Sequence, residues 1–393
     1  MTNSLSTEDS SLNDVFPIML VGLFSFVFYT SMFYISPLLP SIIVDFGTTY
    51  VETSSLMALL FIPQIFFSIF ASPLISRFGL KKTATAGMLL ILLGTILFAF
   101  DTLFIVLQVA RFIIGTGVAL AFVATMTFVT IYFGAENRGF VSGIIGMTYS
   151  LSIVVSFNLF GWINTTANYQ TASWAMFLFA CGAATIILAK CNIFASAGLP
   201  ENRTNEKPKL IDGLKNRDMR LIGFMWLAVN MGMGSYLTWV KVFLIDYKGF
   251  TPAMADLLAS FIMMLGILRP FVGKVSDKLR RRKIFVNIST LGYGISILIL
   301  PFLNGFALYS VFGIMSIAGV FIAPAVLALP GDVMKEKAQV GYGILNTSAN
   351  IGYLIGPVIT AWFFDNYGLF VGFLTIGVFF SLSFIFSALL KVK

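Results

Sequence analysis

Apolar runs lie near residues 16–40, 53–76, 82–100, 103–133, 138–163 and 169–190, and six more near 219–245, 253–277, 283–302, 305–333, 339–364 and 367–390. A helix of about 20 apolar residues spans the roughly 30 Å hydrocarbon layer of a bilayer. Twelve such runs in series leave little chain for anything else. Only 11% of the residues are charged, whereas soluble proteins carry about 25%. That shortfall is too large for a water-facing surface around one core. The expected fold is therefore all-α and membrane-embedded. Phe, Trp and Tyr make up 15% of the chain and suit lipid-facing and interfacial surfaces.

The rest of the composition narrows the function. There is no histidine, so the commonest general base and metal ligand is missing. Cys181 and Cys191 lie about 15 Å apart at helical rise, too far to bridge, and form no CxxC pattern. Metalloenzyme, haem and His-based hydrolase chemistry are all disfavoured, and neither an enzyme nor a cofactor is expected. Residues 1–15 are polar, lack the basic start of a signal peptide, and are expected to form a cytoplasmic tail. Residues 191–218 read as a cytoplasmic linker between an N-terminal bundle (16–190) and a C-terminal bundle (219–393).

The basic residues set an orientation. With residue 1 inside, 21 of the 25 Lys and Arg fall in inner loops and only Lys248 in an outer one. Asp45, Glu52, Asp101, Asp246, Asp256 and Asp365 collect on the other side. Both termini are then cytoplasmic, in a multi-pass cell-membrane protein. The net charge of +8 is explained by loops, and no nucleic-acid partner is expected.

The two halves repeat. "GIIGMTYSLSIVVSFNLFGW" (143–162) aligns without gaps to "GILNTSANIGYLIGPVITAW" (343–362), and "SPLISRFGLKK" (72–82) to "GKVSDKLRRRK" (273–283). Two six-helix units in the same orientation are the parallel-repeat plan of secondary transporters, with a site between them near mid-membrane. The second pair of segments resembles the loop signature of the major facilitator superfamily, G-x-L-a-D-r-x-G-r-k. One copy keeps Gly273, Asp277, Lys278 and Arg281; the other keeps Leu74, Arg77, Gly79, Lys81 and Lys82, with Ser76 in place of the acid. "RFIIGTGVA" (111–119) and "ENRGFVSGIIG" (136–146) also resemble signatures of that family. The resemblance implies twelve helices in two bundles and alternating access. It further implies a gate in which Gly273, Asp277, Arg281, Arg77 and Gly79 take part.

Arg269 sits inside an apolar run. A buried arginine costs roughly 2.5–3.5 kcal/mol on insertion scales. Two readings fit: snorkelling to a nearby edge, or binding an anion. Gly266, Arg269, Gly273 and Asp277 share one helix face, which favours packing against helices over lipid. "RPFVG" resembles the Arg-Pro-x-x-Gly pattern in span eight of monocarboxylate carriers, whose arginine engages the substrate carboxylate; an arginine in this span also marks the oxalate/formate group. Those carriers have an aspartate four residues earlier, where this chain has Leu265. Arg111, deep in span four, is read as structural or as a second anion contact. Lys241 is read as an interfacial anchor with Trp239. No Asp or Glu is expected deep in a span, with Asp256 placed near an end. Tyr34, Tyr149, Asn346 and Asn350 complete the candidate binding set.

These observations favour a secondary transporter for a small organic anion, with a proton or a counter-anion as the companion ion and a monomer as the working unit. Two other readings remain: efflux of hydrophobic compounds, which the absence of Gly-Pro at residues 156–157 disfavours, and a non-transporting membrane sensor.

Overall fold

The computed structural model describes residues 6–100, 103–133, 135–196, 210–269, 282–335 and 338–391. Among these there is no strand. Ten helices are long and apolar enough to cross a membrane: α1 (Val15–Phe46), α2 (Tyr50–Phe67), α3 (Arg77–Ala99), α4 (Phe104–Tyr132), α5 (Phe140–Thr166), α6 (Tyr169–Ala189), α7 (Arg217–Tyr247), α9 (Arg282–Phe302), α10 (Gly305–Met334) and α11 (Val340–Ala388). A shorter apolar helix, α8 (Pro252–Leu268), lies between α7 and α9. The two runs expected at 339–364 and 367–390 form α11, whose 49 residues turn at Gly368 (φ 82°, ψ 168°). Gly79 (φ 78°, ψ 161°) makes the matching turn near the start of α3, within the continuous helical stretch Tyr50–Ala99. Glycine reaches that positive-φ region without a Cβ clash.

Side-chain caps start several helices. Thr49 and Glu52 form a capping box on α2, and the side chains of Asn168, Asn216 and Thr251 accept from the first turns of α6, α7 and α8. Helix α1 is broken partway. Its first α-helical part stops at Phe33, Ser36–Leu38 form a 3₁₀ turn around Pro37, which has no N–H to donate, and α-helix resumes over Leu39–Phe46. The break leaves carbonyl groups for other side chains to satisfy.

Within the first half, α4 packs on α2 and α3 through small residues. A Cβ on Gly115 would overlap the Leu60 carbonyl, and one on Gly117 would press on Gly87 and Ile91. Elsewhere in a helix Gly→Ala is favourable. Here Gly115→Ala is expected to cost about 1–3 kcal/mol by overpacking, read as a lower melting temperature in detergent. Between the halves, α2 faces α11, α5 faces α8, and α1 meets α7. At the α5–α8 crossing Gly266 lies so close to Ser150 that a Cβ would overlap it. The glycine-bearing face of α8 therefore packs against a helix, as its spacing suggests.

Candidate functional site

Arg269 lies at the end of α8 and is 7% exposed. Its contacts are long: Nη1 donates to the Gly146 carbonyl at 3.5 Å and Nη2 to the Gly319 carbonyl at 3.4 Å, with the Met263 sulfur at 3.2 Å. Its Nε has no hydrogen-bond partner, and no carboxylate among the described residues pairs with it. The guanidinium stands 5.7 Å from the Tyr149 ring centroid, within cation–π range. Tyr29, Tyr149, Tyr293 and Tyr353 all lie within electrostatic reach of its charge.

Tyrosines bridge the two halves beside it. The Tyr149 hydroxyl on α5 and the Tyr353 hydroxyl on α11 are 2.6 Å apart. Tyr353 stacks on Phe61 of α2 at 4.7 Å, and Tyr149 meets Tyr29 and Phe33 of α1 edge-on at 5.1 and 5.6 Å. Asn346, Asn350 and Tyr353 follow spacings of four and three, so they share one face of α11. Asn350 is buried and Asn346 half-buried.

Arg111 is placed differently. It is fully buried and donates to the carbonyls of Leu56 at 2.8 Å, Ser31 at 3.0 Å and Met32 at 2.8 Å. The last two directly precede the break in α1, so α4 supplies donors to a helix that has lost its own. Tyr34 packs between Phe98 and Phe160, on the Arg111 side of the molecule. The structure therefore groups Tyr149 with Arg269, and Tyr34 with Arg111.

The two halves also meet at the end that carries the turns at 47–49, 248–251 and 365–368, here termed the far end. Asp365 on α11 accepts from the N–H groups of Tyr50 at 3.1 Å and Val51 at 2.9 Å, at the start of α2. Tyr50, Trp239 and Phe364 pack as an aromatic triangle beside it. Deeper in, Lys241 of α7 binds Asp256 Oδ2 of α8 at 2.7 Å and the Pro37 carbonyl at 2.9 Å. Both residues are 2% exposed. Gly161, after a π-helical turn in α5, presses on the Asp256 carboxylate, where a Cβ would overlap it. These contacts correct three expectations. Lys241 and Trp239 are buried at the seam instead of anchoring at an interface, and Asp256 is a buried acid.

The profile of the Major Facilitator Superfamily matches residues 21–268 and 249–393, which together cover almost the whole chain. The chain belongs to this superfamily. Among its relatives is an uncharacterized protein of Campylobacter jejuni, 26% identical over 72% of this chain and 88% of that protein. A probable sulfoacetate transporter of Cupriavidus necator is 22% identical over 87% and 85% of the two chains. A probable galactarate/D-glucarate transporter of Escherichia coli is 22% identical over 76% and 75%. A facilitator of this kind is a transporter and not an enzyme.

Of the expected gate of this facilitator, Gly273, Asp277 and Arg281 lie outside the described residues. Arg77 is exposed, with its guanidinium 5.5 Å from the Phe78 ring centroid, next to the Gly79 turn. Sequence reasoning did not single out Tyr353, the capping role of Asp365, or the Lys241–Asp256 pair. A signal for Tyr353 was present. It lies 204 residues after Tyr149, one helical turn beyond the offset of 200 that relates the two repeats.

Proposed function

We propose that this facilitator carries a small organic anion by alternating access, with Arg269 as the electrostatic anchor. The observation that carries the reading is the state of Arg269: a buried guanidinium with only long contacts to carbonyls, a free Nε and, among the described residues, no acid paired with it. A buried charge left in that state costs free energy that a bound anion recovers. Arg111, whose donors are all well used, sets the contrast. The probable substrates of two relatives, sulfoacetate and galactarate/D-glucarate, are organic anions, which supports the same class.

In this reading the far end faces outside and both termini inside. The bundles 16–190 and 219–393 rock about the Arg269 site, and Gly273, Asp277, Arg281, Arg77 and Gly79 serve the inner gate. A ligand at about 100 times its Kd stabilises a protein by about 2.7 kcal/mol. A melting screen in detergent with sulfoacetate, D-glucarate, a neutral sugar and a lipophilic cation tests the class. Stabilisation by one or more of the anions is expected. A response to the lipophilic cation alone would replace this reading with efflux of hydrophobic compounds.

A further inference from the structure

The hydrogen bond between Tyr149 and Tyr353 joins the halves beside the buried Arg269 guanidinium, whose Nε has no partner. Two hydroxyls hold two hydrogens, and one bond between them uses only one. The other hydrogen is available to whatever lies near Arg269. Each ring also touches the half it does not belong to. Tyr353, from the second half, stacks on Phe61 and touches Phe33 of the first. Tyr149, from the first half, lies under Arg269 of the second. The rings are thus fixed while the O–H groups are free to turn. Tyr293 Oη, a buried hydroxyl with no hydrogen-bond partner, stands against Gly319, whose carbonyl Arg269 also reaches.

We propose that the Tyr149–Tyr353 bond is a clasp between the halves that the bound anion takes apart. This rests on the reading of Arg269 as the anion anchor. An anion on Arg269 accepts from both hydroxyls, so one neutral O–H···O bond is exchanged for two charge-assisted ones. Bonds to an ionised acceptor are about twice as strong as neutral ones. The exchange favours the occupied state and removes a tie that holds the halves in their present relation, which is the differential binding a conformational change requires. It also selects the ligand. Two donors on separate helices, with a guanidinium between, suit an oxyanion with two oxygens on one centre, such as a carboxylate or a sulfonate. A halide offers one spherical acceptor in place of two separated oxygens, and a neutral amide offers no charge to the guanidinium, so both are expected to bind more weakly.

The test uses purified full-length protein, wild type and the variants Tyr149→Phe, Tyr353→Phe, the double variant and Arg269→Ala. Melting is measured without ligand, and affinity by titration with sulfoacetate and with D-glucarate, against chloride and acetamide. Without ligand, the double variant is expected to melt where either single one does, because one substitution already breaks the clasp. With the oxyanion, each single variant is expected to lose about tenfold in affinity, the low end for a bond to a charged group, and the double variant to lose more than the product, because each single substitution also spares the ligand the cost of breaking the clasp. A clasp that is only structural would leave affinity unchanged or improved. Variants that bind like wild type while Arg269→Ala does not would overturn this inference and leave the anion anchor standing. Failure of the wild type to bind either oxyanion would remove both.

Discussion

Replacing Arg111 by Leu is expected to leave little folded transporter. The guanidinium holds three carbonyls, at Leu56, Ser31 and Met32, all inside the first half. None of them has water to turn to. The Leu56 carbonyl, inside α2, keeps its helical partner, whereas those of Ser31 and Met32 lie at the break; an acceptor left buried and unsatisfied costs about 1–3 kcal/mol, so the two cost roughly 2–6 kcal/mol. Whole domains are stable by only about 5–15 kcal/mol. The break in α1 would lose its donors, and with it the register of Pro37 against α7. Arg111→Lys should recover part of the loss, because an ammonium has three donors but not the planar fork that spans three carbonyls. Melting and size-exclusion profiles in detergent check both variants. A monodisperse Arg111→Leu protein that melts like wild type would remove the structural assignment.

Arg269→Ala should behave in the opposite way. The side chain makes only long bonds, so its loss leaves little unsatisfied, and the protein is expected to fold and melt close to wild type. Transport is what it should lose. Truncating one partner of a buried, hydrogen-bonded charge pair costs about 2–5 kcal/mol, which is a loss of about 30-fold to several thousand-fold in affinity. Uptake of sulfoacetate or D-glucarate into vesicles, together with direct titration, measures it. Arg269→Lys should keep the charge and lose the two-point grip on an oxyanion, and so fall between the two. If Arg269→Ala carries the anion with unchanged affinity, the anchor lies elsewhere.

Much of the architecture is readable in the sequence because membrane spans announce themselves by length and polarity alone. The repeats, the glycine face of α8 and the burial of Arg269 come from spacing, which is local. What spacing cannot supply is depth. Lys241 and Asp256 sit near the ends of their spans by residue count, but the seam between the halves closes over those ends. The break in α1 brings the Pro37 carbonyl to them. Trp239 follows the same logic: a belt residue by position, a seam residue by packing. Tyr353 was hidden for another reason. Its partner is 204 residues away, and only the fold puts α5 beside α11. Arg111 and Arg269 look alike as isolated charges in apolar runs. They differ in what surrounds them, and only the structure shows that one is saturated with carbonyls while the other is not.

The Lys241–Asp256 pair bears on how such a protein behaves in an electric field. One positive and one negative charge, 2.7 Å apart and on adjacent helices of the same half, travel together when that half moves. A membrane potential of 100 mV does about 2.3 kcal/mol of work on each elementary charge that crosses it. On a matched pair the two contributions cancel. The largest buried charges at the far end therefore give voltage no handle on its opening. At Arg269, by contrast, a potential acts on the cycle in the steps when its counter-charge is absent.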